Sequence, residues 1–119
     1  MAQYDVREMY KAFTGGLTEL SRTQREGVGA FMNLLGKSYA PGALDPKTKE
    51  LISVGIAVYN RCEYCIVYHT HEALEHGATR PEIEEAALVS VAFGGGPSMA
   101  YTVTLLKESL DKQWFLFQP

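Results

Sequence analysis

Two helix-start signatures bracket the middle of this chain, Asp45-Pro46 and Thr79-Arg80-Pro81-Glu82. In the first, the aspartate carboxylate accepts from free backbone N–H groups, and proline at the first helical position gives up a donor that had no partner. In the second, Thr79 and Glu82 hold the two positions of a capping box. Gly77 stands just before the second start, where a helix commonly stops. With helix starts on both sides, no hairpin signal and no second convincing strand, the pattern predicts an all-α fold.

The remaining elements follow from apolar spacing. Val6, Met9, Tyr10 and Phe13 repeat at helical period until Gly15-Gly16, which predicts a short first helix. Leu17 to Glu26 is polar and either joins the next helix or forms a turn of its own. Val28, Phe31, Met32, Leu35 and Tyr39 continue the period up to Pro41-Gly42. The helix opened by Asp45-Pro46 carries Glu50, and its body from Leu51 to Tyr59 is apolar nearly all round, so a central, buried helix is expected. Asn60 is the expected cap of the next helix, from about Cys62 to His76. The capping box opens a helix through Ile83, Ala86, Ala87, Ser90 and Val91, and Gly94-Gly95-Gly96-Pro97 interrupts it. That glycine run lacks the Lys-Ser/Thr of a phosphate loop, so it reads as a helix break with tight backbone packing. A last helix runs from about Ser98 to Asp111 with Met99, Val103, Leu106 and Leu110 on one face, and the apolar tail Trp114-Phe115-Leu116-Phe117 is expected to pack on the core or on a neighbouring subunit.

A chain of 119 residues is expected to form one domain, 1–119, small enough that self-association would help to bury apolar surface. At 46% hydrophobic and 21% charged it has ordinary globular composition. A formal charge of -3 and a pI near 5.6 supply no basic field for a phosphate backbone, so nucleic-acid binding is not expected. Met1 to Tyr10 lacks the apolar core and cleavage site of a signal peptide, and Leu51 to Tyr59 is too short to span a bilayer. A cytoplasmic location with no membrane partner is therefore expected.

Both cysteines fall in one segment, Cys62-Glu63-Tyr64-Cys65-Ile66-Val67-Tyr68-His69, with Glu50 twelve positions before Cys62. On a helix Cys62, Cys65 and His69 stand at i, i+3 and i+7, within one narrow stripe at roughly 100° per residue. The thiolate is the attacking form, and a cysteine of ordinary pKa, about 8.5, is mostly protonated at neutral pH. A helix N-terminus favours negative charge, and His69 can accept a proton or stabilise the thiolate as imidazolium. The second cysteine would then resolve the sulfenic acid or mixed disulfide. Glu50 would orient His69 or take its proton through a water. Dipole activation favours Cys62 as the first sulfur and histidine proximity favours Cys65, so the order stays open.

Rival readings of these residues are a thioredoxin-like site, with Leu51 to Val58 as its strand and Pro97 as its proline, and a zinc site. For zinc, His71 lies on roughly the opposite helix face from His69, so Cys62, Cys65, His69 and His71 cannot share one ion, which leaves three of them completed by Glu50. An inert pair of buried cysteines is a further reading. His71 and His76 read as surface residues, and Tyr64 and Tyr68 either shape a pocket mouth or pack in the interior.

Glu50, eleven residues, Cys62-x-x-Cys65, three residues, His69, then Ala73 and Gly77 resemble the signature of the alkylhydroperoxidase D-like members of the carboxymuconolactone decarboxylase superfamily. The match runs from Gly42-Ala43-Leu44-Asp45-Pro46 to Leu51-Ile52 and on through Gly77-Ala78-Thr79-Arg80-Pro81-Glu82-Ile83, roughly a third of the chain, and more weakly through Gly94-Gly95-Gly96-Pro97. The resemblance implies a bundle of about five to six helices, homo-oligomers built as trimers or hexamers, and thiol-dependent reduction of peroxides with Cys62, Cys65, His69 and Glu50 as catalytic residues. Some peroxidase members carry histidine immediately before the second cysteine, where this chain has Tyr64. No flavin or nicotinamide fingerprint is present and neither a cofactor nor a metal is expected. Electrons would come from a separate dithiol, of lipoyl or thioredoxin type. The alternatives are decarboxylation of a carboxymuconolactone-type substrate, which needs acid and base groups but no dithiol, and a redox-sensing oligomeric binding protein.

Overall fold

The computed structural model describes residues 4–113, all of whose regular elements are helices. They are α1 (Val6–Thr23), α2 (Arg25–Ser38), α3 (Pro46–Asn60), α4 (Glu63–Glu75), α5 (Arg80–Gly94), α6 (Gly96–Tyr101) and α7 (Lys107–Gln113), with a π-helical segment Thr102–Leu106 joining the last two. Since α6, the π segment and α7 continue one another, the described residues make six rods, as the sequence implies. Leu51 to Val58 is helical, which rules out the strand of a thioredoxin-like arrangement. The tail 114–119, for which packing on the core or a neighbour is expected, lies outside the described residues.

Both helix-start signatures behave as expected. Asp45 accepts from the Thr48 N–H at 2.8 Å, with Pro46 in the first turn. Thr79 accepts from the Glu82 N–H at 3.3 Å while the Glu82 carboxylate accepts from the Thr79 N–H at 2.9 Å. Lys47 also reaches Glu82 at 2.9 Å and ties the start of α3 to the start of α5.

The core is built where α3, α4, α5 and the last rod meet, around Val54, Val58, Ile66, Ile83, Leu105 and Leu106, each 0–1% exposed. Each such side chain contributes about 1.5–3 kcal/mol by leaving water. α1 closes this core through Val6, with Met9 and Tyr10 packed against it. Arg7 donates to the Lys112 carbonyl at 2.9 Å, and Arg80 pairs with Asp111 at 2.9 Å, so the starts of α1 and α5 are both fastened to the end of α7.

Four expectations are corrected. Gly15-Gly16 do not end the first helix, which runs on to Thr23. Two glycines cost a helix about 1 kcal/mol each relative to alanine, and the apolar stripe continues past them through Leu17, which packs with Phe13 along the same pocket. The cap of α4 is Cys62 and not Asn60, because Asn60 is still the last residue of α3 and Arg61 makes the turn in the left-handed region at φ 56°. The face expected for the last helix shifts: Leu105, Leu106 and Leu110 are buried, while Met99 and Val103 are exposed, since the wider π turn re-phases the residues that follow it. Finally, α3 is buried on one side only. Val54, Ala57 and Val58 are in the core, but Ile52, Ile56 and Tyr59 are exposed beside Val89 and Phe93 of α5. The glycine run does break the helix with tight packing. Gly95 takes φ 64°, and a Cβ on Gly94 would collide with the Ser98 hydroxyl and press on the Tyr59 ring. Among the described residues no helix is long and apolar enough to cross a membrane.

Candidate functional site

The turn from α3 into α4 creates the site. Arg61 reverses the chain and Cys62 enters in extended conformation, φ −90° and ψ 104°, with its N–H bonded to the Ala57 carbonyl at 3.1 Å. Cys62 occupies the position where serine, threonine or aspartate usually sits, and its sulfur accepts from the Cys65 N–H at 3.3 Å. A sulfur there lies at the positive end of the α4 dipole, which favours its thiolate when the bond is reduced. In this structure Cys62 and Cys65 form a disulfide, with Cα atoms 5.2 Å apart. Being bonded to each other, neither sulfur serves here as a ligand of the zinc site considered from sequence.

One turn further along α4, the imidazole of His69 meets the carboxylate of Glu50 from α3, Nδ1 to Oε1 at 2.8 Å. A carboxylate accepts, so Nδ1 carries the proton and Nε2 is left as the basic nitrogen. Glu50 is 4% exposed and comes from the inner side of α3. The His69 ring is held by two tyrosines. Tyr39 stacks on it with centroids 5.8 Å apart, and Tyr68 meets it edge-on at 5.2 Å. Tyr39, just past the end of α2, is itself anchored by a hydrogen bond between its hydroxyl and that of Ser53 on α3.

Glu50, Cys65, His69 and both tyrosines line one pocket of about 390 Å³, roofed by Phe13 and Leu17 from α1 and by Phe31, Met32 and Leu35 from α2. Its walls are chiefly aromatic and aliphatic. Burial, reinforced by Glu72, pushes the Tyr68 phenol up to about 12, and burial raises Tyr39 as well, so both remain neutral hydroxyls at physiological pH. A hydrogen bond from His71 holds the Glu72 carboxyl below its usual range.

Of the four residues expected to act together, Cys65, His69 and Glu50 share this wall, and Cys62 is joined to it through the disulfide. His71 points elsewhere, its ring tilted against Tyr10 with centroids 4.2 Å apart and Nδ1 bonded to Glu72 at 3.2 Å. Tyr64 and Tyr68 both line the pocket. Sequence reasoning missed Tyr39, Glu72 and His76 as lining residues. The last two follow His69 at i+3 and i+7, a spacing that marks one helix face; Tyr39 leaves no local signal, since its place depends on how α2 folds back.

A second, predominantly apolar groove of about 490 Å³ lies between α3 and α5, lined by Leu51, Gly55, Ile52, Ile56, Tyr59 and Phe93 among others. Phe93 is 80% exposed.

Comparisons with known proteins converge. A carboxymuconolactone decarboxylase family protein of Legionella pneumophila, 32% identical in sequence, superposes with a TM-score of 0.83 over 95% of this chain and 97% of its own. A Thermotoga maritima member of that family, described with a suggested involvement in an antioxidative response, is also 32% identical, with a TM-score of 0.63 over 76% of this chain and 89% of its own. An uncharacterised Cupriavidus necator protein is 35% identical over 82 residues, 69% of this chain and 73% of that one. An uncharacterised protein encoded in the cox locus of Paracoccus denitrificans is 38% identical over 85 residues, 69% of this chain and 77% of its own. The carboxymuconolactone decarboxylase family model matches residues 25–108, from the start of α2 into α7, a span that includes Glu50, Cys62, Cys65 and His69. The chain belongs to the carboxymuconolactone decarboxylase family.

Proposed function

We propose that the protein is a thiol-dependent peroxidase of the alkylhydroperoxidase type, acting through Cys62, Cys65, His69 and Glu50. The observation that carries this reading is the 2.8 Å contact of Glu50 with His69 on the pocket wall that also holds Cys65, itself paired with Cys62. In the reduced protein His69 Nε2 takes the Cys65 proton, and Glu50 stabilises the imidazolium through Nδ1. The Cys65 thiolate attacks the terminal oxygen of a hydroperoxide, the O–O bond breaks, and the alkoxide leaves as alcohol with the proton from His69. Cys62, whose thiolate is favoured at the start of α4, then attacks the sulfenic sulfur; its thiol proton goes to the leaving hydroxide, and water departs as the disulfide closes. Two thiols and one hydroperoxide thus give a disulfide, an alcohol and water. A dithiol reductant, lipoyl- or thioredoxin-type, restores the thiols by exchange.

The aromatic and aliphatic roof suits an organic hydroperoxide better than hydrogen peroxide. Tyr64, in place of a histidine before Cys65, gives no additional base there, which leaves proton transfer to His69. Self-association into a homo-oligomer, a trimer or hexamer, belongs to the same proposal: the apolar groove between α3 and α5 is the kind of surface that a second copy covers. A cytoplasmic location fits a dithiol that must be reduced in every cycle.

The test is turnover of cumene hydroperoxide with excess dihydrolipoamide, in the wild type and in Cys65→Ser. Catalytic consumption lost in the variant is the expected result. A wild type without turnover, beside conversion of a carboxymuconolactone-type substrate, would replace the reading with decarboxylation.

A further inference from the structure

Below the His69 contact the same pocket gathers two groups that the thiol chemistry does not use, Glu72 and His76, beside the second carboxylate oxygen of Glu50. The Glu50 side chain is 6% exposed, and its bond to His69 runs through Oε1; among the described residues Oε2 takes no hydrogen bond. The Glu72 carboxylate is bonded by His71 through Oε2 at 3.2 Å, which leaves Oε1. His76 donates from Nδ1 to the Glu72 carbonyl at 2.8 Å. Since a carbonyl only accepts, that bond fixes the tautomer and presents the Nε2 lone pair.

One ligand atom from each of Glu50, Glu72 and His76 lies within 4.8 Å of the other two. Two carboxylates brought this close beside apolar walls repel each other when both are charged, and a cation between them removes that cost. Each carboxylate has one oxygen bonded by a histidine, and the imidazole has its far nitrogen tied to a carbonyl. That outer layer is how metal ligands are normally oriented. We propose that Glu50, Glu72 and His76 form a binding site for a divalent first-row transition ion of the Zn²⁺ and Mn²⁺ class, beside the disulfide. Two carboxylate oxygens and one imidazole nitrogen suit those ions, whereas Cu⁺ prefers sulfur. Bringing the donors to the spacing of roughly 3.4 Å found around a tetrahedral ion takes about an ångström of movement. Glu72 is half-buried and His76 is exposed, so both have that freedom, while Glu50 anchors the base. Three protein ligands leave positions open toward the pocket for an oxygen of a bound molecule.

The site is read by calorimetric titration of tag-free, disulfide-form protein with Zn²⁺, with Mn²⁺ as competitor. In that form the sulfurs are bonded to each other and offer no thiolate. One ion per chain is expected, with affinity at least tenfold weaker in Glu72→Gln and in His76→Gln and also weakened in His71→Ala, which removes an outer partner. No binding up to millimolar Zn²⁺, or unchanged affinity in His76→Gln, would overturn the proposal. His76 is exposed, so its variant decides the question even where Glu72→Gln fails to fold. No peroxide enters the experiment, so its outcome is separate from that of the peroxidase reading.

Discussion

Glu50 on α3 and His69 on α4 meet at 2.8 Å, although nineteen positions separate them in the chain, and the carboxylate that makes this contact is buried. A carboxylate accepting from an imidazole Nδ1 leaves Nε2 as the unprotonated nitrogen, which is the base of the proposed relay. Glu50→Gln keeps an acceptor of the same shape and removes the charge that stabilises imidazolium. Peroxide-driven oxidation of Cys65 is expected to slow by about 10²-fold while the disulfide still forms at the end point. Stopped-flow measurement of thiol loss checks this, and a wild-type rate in the variant would refute the relay.

Alkaline stability follows from the partly buried tyrosines. Burial raises Tyr68 to about 12, and raises Tyr10 and Tyr39 as well. Between the ordinary tyrosine value of about 10 and the raised value, the unfolded chain binds fewer protons than the folded one, so stability falls as pH increases. Below about pH 10 this contribution is constant. Tyr68→Phe is expected to flatten the decline of the urea midpoint between pH 9.5 and 11.5, to be read from denaturation curves at about half-unit intervals.

At the acid end the sign reverses. The Thr79 N–H, and then Lys47, hold the Glu82 carboxyl below its usual range. Its contribution is complete above the unfolded value of about 4.3 and is lost as pH falls through the folded value. Thr79→Ala removes the reciprocal cap and is expected to cost about 1 kcal/mol at neutral pH, or about 4 °C in Tm. Glu82→Gln should remove the acid-dependent part specifically. Thermal melts of both variants at pH 7 and pH 3.5 separate the two effects.

Two glycines give opposite expectations for one substitution. A Cβ on Gly94 collides with Ser98, so Gly94→Ala is expected to destabilise by about 1–3 kcal/mol. A Cβ on Gly15 meets nothing within 4 Å inside α1, so Gly15→Ala is expected to stabilise by about 0.5–1 kcal/mol. Chemical denaturation measures both, and a destabilising Gly15→Ala would contradict a continuous α1.

The features legible in the sequence are those with local causes. Asp45-Pro46 and Thr79 to Glu82 announce two helix starts because capping is settled within four residues. The spacing of Cys62, Cys65 and His69 was readable because α4 carries all of them or their cap. Gly15-Gly16 misled, since local propensity argued for a stop while the packing of Leu17 beyond them kept the helix going. Burial of α3 was overestimated for the converse reason: Ile52, Ile56 and Tyr59 are apolar, but whether a neighbouring helix covers them is not written in α3. Tyr39 illustrates the same boundary, because its place against His69 and Ser53 depends on the fold-back of α1 and α2.

The proposed function requires Cys62 and Cys65 to be a working redox couple addressed by peroxide. Its most direct test is a free-thiol count and intact mass on reduced protein before and after one equivalent of cumene hydroperoxide. Both thiols are expected to disappear, the mass to fall by that of two hydrogens, and a dithiol to reverse the change. Thiols that remain titratable after exposure, with unchanged mass, would contradict it.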